Sequence, residues 1–133
     1  MLWIDRQVQL LLENRFSELD IENLVEELDG MKKHLQRKMQ SRLRVLIMHL
    51  LKCQFQKDHP QNKWRSTLVE QRTRLSLLFE ESPSLRGKLQ QFAEQSHPIA
   101  ARRAALETGL DVKAFPDELP YSISQILDLD CTP

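Results

Sequence analysis

The stretch at residues 21–56, IENLVEELDGMKKHLQRKMQSRLRVLIMHLLKCQFQ, decides the fold. Within it Leu24, Leu28, Met31, Leu35, Met39, Leu43, Leu46 and Leu50 recur at helical spacings of three or four, which predicts one continuous helix. At about 1.5 Å per residue such a helix exceeds about 50 Å. Asp20 is placed to cap its N-terminus, and Glu22, Glu26, Glu27 and Asp29 follow where negative charge favours the helix dipole. Gly30 weakens the helix by about 1 kcal/mol relative to alanine without breaking it. Asp58-His59-Pro60 ends it, because proline disfavours helical geometry at the residue before it.

Working outward, residues 2–13 form a first helix with Ile4, Val8, Leu11 and Leu12 on one side, and residues 14–17 break it. Asn62 caps a third helix through residue 81, whose stripe is Trp64, Leu68, Leu75, Leu78 and Phe79. Ser82-Pro83 starts a fourth helix, with serine at the cap and proline in the first turn. Pro98 kinks it or stops it near Ser96; helical character then resumes to Gly109, a left-handed terminator. Phe115-Pro116 and Pro120-Tyr121 suggest an extended strap, and Ser122 to Gln125 reads as a capping box opening a last short helix. The expected architecture is an all-α, single-domain bundle of five or six helices (residues 1–133). It is built on the long second helix and closed by an irregular C-terminal strap.

Composition narrows the function classes. The chain has 133 residues, is 41% hydrophobic and carries only three glycines, too far apart for a phosphate-cradling loop. Two cysteines, Cys53 and Cys131, build no disulfide framework. No apolar run approaches the roughly 20 residues of a membrane span, and nothing reads as a signal peptide, so a cytoplasmic location without membrane association is expected. His49 and Cys53 stand at i, i+4 with His59 beyond, but a fourth ligand is missing, so neither metal nor cofactor is expected.

The neutral total conceals segregation. Residues 1–31 hold eight acids and two bases, residues 32–74 twelve bases and two acids, and residues 75–133 nine acids and five bases. The central net charge of +10 either is offset by acidic helices folding against it or forms a face for an anionic partner such as nucleic acid.

Projection at 100° per residue puts Lys33, Arg37 and Arg44 opposite the apolar stripe of the second helix, hence exposed. Arg42 and His49 fall within roughly 40–60° of its centre, and Lys38, Lys52 and Gln56 border the same side. On the third helix Gln71 projects inside the stripe and Arg72 at its edge, two turns after Trp64. A short link makes the two helices antiparallel neighbours, so that Arg42, His49 and Lys52 meet Trp64, Gln71 and Arg72. Buried polar groups must be paired or line a cavity. Three accounts follow: an internal network completed by Glu27 or Glu70, a cleft that binds an anion, or catalysis on nucleic acid or phosphate esters. In the last, His49 is general acid/base and Arg42, Lys52 or Arg72 stabilises charge. No nucleophile–base pair is identifiable from spacing, which leaves enzymatic activity open. The leading expectation is a binding or interaction module with a polar groove between the second and third helices; the enzyme or accessory-factor reading is the alternative, and a structural partner or homo-oligomer a third.

The segments ELDIENLVEELDGM (18–31), SRLRVLIMHLLK (41–52), KWRSTLVEQR (63–72), SPSL (82–85), ETGL (107–110) and FPDELPYSISQILD (115–128) occur in an order that resembles the bacterial, largely cyanobacterial, domain-of-unknown-function family twenty-nine. The resemblance implies a small all-helical protein and adds no activity. Its pattern matches Glu26, Glu27, Ser41, His49, Lys52, Gln56, Trp64, Gln71, Arg72, Pro83, Phe115, Pro116, Pro120 and Tyr121, several of which coincide with the projected polar set. Cys53 departs from it where an aromatic is usual, and His97-Pro98 replaces a more helical segment.

Overall fold

A computed structural model describes residues 2–56 and 62–128. Five α-helices follow in chain order: α1 (Leu2–Leu12), α2 (Ile21–Phe55), α3 (Asn62–Glu81), α4 (Leu89–Thr108) and α5 (Ile123–Leu127). Short 3-10 turns lie at Phe16–Glu18, Pro83–Lys88 and Val112–Ala114, and no strand occurs among the described residues. The fold is all-α, with one dominant helix as the periodicity predicts. The expected stop at Asp58-His59-Pro60, and Cys131, lie outside the described residues. The chain divides into two compact units, Met1–His34 and Leu35–Pro133.

In the N-terminal unit, α1 ends in a turn where Asn14 takes a left-handed φ of 57° and the Arg15 N–H reaches the Leu10 carbonyl at 2.8 Å. Asp20 then caps α2. Its carboxylate accepts from the Asn23 main-chain N–H at 3.4 Å and side chain at 2.7 Å, and from Trp3 Nε1 at 3.0 Å. Its own N–H donates to Gln7 Oε1 at 2.9 Å. These bonds, the Asn23 amide first and the Trp3 indole second, hold the Asp20 carboxyl below the ordinary carboxylate range. Only Gln7 and Leu10 are buried among the described residues of this unit. Leu28 and Met31 are exposed, although they continue the stripe of α2. Sequence spacing shows which residues share a helix face; it does not supply a neighbour for that face.

The C-terminal unit holds the core. Met39, Leu43, Leu46 and Leu50 of α2 cluster with Leu68 and Leu75 of α3, the alanines of α4, and Phe115, Tyr121 and Ile126 of the tail. Ser82-Pro83 opens a 3-10 turn in place of an α-helix: the proline sits in its first turn, but the Ser82 side chain makes no cap bond, and α4 begins only at Leu89. Helix α4 runs through Pro98. Proline has no N–H for the Glu94 carbonyl, but Glu94 and Pro98 are both exposed, so water can take that bond. Gly109 ends the helix at φ 76°, its N–H on the Ala105 carbonyl at 2.9 Å.

Among the described residues the tail is fastened to α2, α3 and α4. Phe115 meets Phe55 edge to face at 5.6 Å, and His97 Nε2 donates to the Pro116 carbonyl at 2.8 Å. The Tyr121 hydroxyl donates to Gln54 Oε1 at 2.7 Å. Helix α5 starts with the expected capping box of Ser122 and Gln125 and ends on Arg72. That guanidinium donates to the carbonyls of Gln125 and Ile126, both at 2.8 Å.

Candidate functional site

Lys52 lies at the centre of the polar set. Its position in the last turn of α2 suits a cation at the negative end of the helix dipole. The residue is only 6% exposed. Its Nζ stands 3.0 Å from Glu107 Oε2 on α4 and 5.4 Å from the ring centre of Trp64 on α3. One ammonium thus joins three helices through an ion pair and a cation–π contact, the two interactions that offset burying a charge.

His49 is half-buried one turn earlier on α2. Its Nδ1 donates to the Val45 carbonyl at 2.8 Å, which leaves Nε2 as the ring's acceptor. Burial pushes its pKa below the ordinary histidine value; the Val45 carbonyl opposes that, and the Lys52 charge adds to the lowering. At neutral pH the imidazole is uncharged, with a basic nitrogen available beside Lys52.

A cleft of about 360 Å³ adjoins this group, lined by Met48, Arg103, Leu106 and Glu107. Arg103 has no hydrogen-bond or ion-pair partner among the described residues. Neither has Arg42, half-buried and seven residues before His49 on the same face of α2. The cleft wall thus holds one guanidinium without a partner among the described residues, Arg103, and one carboxylate, Glu107, already engaged by Lys52.

The remaining predicted residues lie elsewhere or act differently. Arg72, 1% exposed, is directed at the end of α5 and supports the tail. Gln71 is buried, with its Oε1 unpartnered among the described residues. Arg44, expected in solvent, is half-buried with its Nε enclosed and unpartnered; Lys33 and Arg37 are exposed as projected. Glu70 is exposed and pairs with Arg74 at 2.8 Å. Glu27 lies in the N-terminal unit, exposed, in a shallow depression with Glu26, Asp29 and Lys33. The carboxylate that meets Lys52 is Glu107, missed in the sequence although the ETGL segment contains it. Among the described residues the basic run meets carboxylates through Lys33 with Asp29 and Arg74 with Glu70, each one turn away, and through Lys52 with Glu107 on another helix.

A family model described as "Domain of unknown function DUF29" matches residues 1–132. The chain belongs to the DUF29 family. No curated protein and no solved structure matches it. Within this DUF29 chain no group of three or more His, Cys, Asp or Glu side chains converges as metal ligands among the described residues. No helix of the described residues is long and apolar enough to cross a membrane.

Proposed function

We propose that this DUF29 chain is a binding protein for an anionic ligand, received at the cationic face of α2 between α3 and α4, around His49, Lys52 and Arg103. One observation carries it: Arg103 lines a cleft of about 360 Å³ without a carboxylate partner among the described residues, while the single acid there, Glu107, is engaged by Lys52. Arg103 is exposed, so its guanidinium is hydrated in the open cleft and available to a ligand, whereas the buried Lys52 ammonium is committed to its pair with Glu107. An arginine left free at a concave surface suits a phosphate or carboxylate, which its planar fork grips in two places. Trp64 packs against Lys52 on its α3 side.

A second reading, action on nucleic acid or phosphate esters, is favoured by the orientation of His49. With Nδ1 engaged by Val45, Nε2 is the acceptor that general-base chemistry uses, and Lys52 and Arg42 would stabilise developing negative charge.

The deciding experiment titrates labelled single-stranded RNA and DNA, and separately inorganic phosphate by calorimetry, at low and physiological salt, with strand cleavage followed in the same samples. Saturable binding that weakens about tenfold in Arg103→Ala supports the binding reading. Cleavage lost in a folded His49→Ala variant promotes the second reading. No binding of any probe at low salt overturns both.

A further inference from the structure

The exposed apolar residues of the chain are concentrated in its first unit. Ten of the fifteen large apolar side chains exposed among the described residues fall within residues 2–31. Leu10 is the one apolar side chain buried there. A unit of this size, Met1–His34, is below the roughly 40 residues at which a chain usually needs disulfides, metals or oligomerisation to hold together.

The apolar residues at the start of α2 have the spacing of a coiled-coil seam. Ile21, Leu24, Leu28, Met31 and Leu35 fall at successive a and d positions of a heptad pattern, three and four apart. Leu24 is half-buried, Leu35 packs against the core, and the exposed Val25 stands at the flanking e position. Ile21, Leu28 and Met31 are 58%, 62% and 60% exposed. The outer positions are polar: Glu22, Asn23, Glu26, Asp29 and Lys33, with Asp29 and Lys33 already paired at 3.0 Å across one turn. α1 is tied to the beginning of α2 through Asp20, which leaves the seam beyond it open.

We propose that this seam is a self-association surface, at which α2 segments 21–35 of two copies pair in parallel. The partner is fixed by charge. In a parallel two-stranded coil each g position faces the e position of the next heptad on the other strand. Glu27 is at g and Lys32 is at the following e. Both are exposed, and neither has an ion-pair partner in its own chain among the described residues. A parallel pair joins Glu27 of each copy to Lys32 of the other, twice by symmetry. An antiparallel pair sets g against g and e against e and forfeits that match.

The test measures the mass of the full chain by light scattering across micromolar to millimolar concentrations. The expected mass rises to that of a dimer, and Leu28→Glu, at a side chain that supports no core, abolishes the rise while the helical circular dichroism is retained. Glu27→Lys weakens the dimer about tenfold, and the double exchange Glu27→Lys/Lys32→Glu restores it. In a Cys131→Ser background, Ile21→Cys crosslinks to itself in the parallel register. A monomer throughout overturns the proposal, and so does a dimer indifferent to Leu28→Glu. Crosslinking only between Ile21→Cys and Leu35→Cys chains overturns the parallel arrangement.

Discussion

Lys52 and Glu107 form a 3.0 Å ion pair of unequal burial: the lysine side chain is 8% exposed and the glutamate side chain 52%. The ammonium depends on the carboxylate far more than the reverse, because Glu107 retains water. Glu107→Ala is therefore expected to destabilise the fold by about 1–3 kcal/mol, less than a wholly buried pair because solvent reaches the acid. Lys52→Met keeps the stem against Trp64, removes the charge and is expected to cost less than about 1.5 kcal/mol. Urea titration of both variants checks the order. If the proposed binding holds, Lys52→Met also separates folding from binding: the variant is expected to stay folded while its affinity for an anion falls.

Arg72 acts as the C-terminal cap of α5. Two carbonyls of a five-residue helix depend on its guanidinium, and a helix that short does not persist alone. Arg72→Ala is expected to destabilise the protein by about 3 kcal/mol and to release the tail. Amide hydrogen exchange at Ile126 and Leu127 is the direct readout. Loss of stability without faster exchange there would refute the capping role.

His49 makes stability depend on acidity. Its folded-state pKa is lowered, chiefly by burial, so below the ordinary histidine value the unfolded chain binds the proton more readily than the folded one. Stability is therefore unaffected at high pH, declines as pH falls through the unfolded-state pKa, and levels off below the folded-state pKa. His49→Gln is expected to flatten that decline. Denaturation midpoints of both proteins between pH 5 and about 8 measure the difference.

Gly109 isolates backbone strain. A Cβ built there meets nothing within 4 Å, so φ 76° is the whole obstacle. Gly109→Ala should cost about 1 kcal/mol and Gly109→Asn less, since asparagine tolerates the left-handed region. Thermal melts rank the three.

The sequence revealed the secondary structure closely where the signal is local. The stripe of α2, the Asp20 cap, the Ser122–Gln125 box and the Gly109 stop each depend on residues within one or two turns. The two departures around α4 have a different cause: before it, Ser82-Pro83 opens a 3-10 turn, and within it Pro98 is accommodated because its lost bond faces solvent. The site was legible by halves. Projection selected His49 and Lys52 as polar residues on a buried face, yet it assigned Arg72 to the same group and looked to Glu27 or Glu70 for the carboxylate.

What the sequence by itself determined is the set of helices and the face each one can bury, because hydrophobic period, caps and breakers act through neighbours along the backbone. Tertiary structure alone decided where the charges end. Arg72 meets Ile126 across 54 positions of chain, and Lys52 finds Glu107 only where α4 packs beside α2. A helix face has a direction but no partner until another element covers it. Burial then turns that choice of partner into free energy, since the same lysine in water would have needed no carboxylate at all.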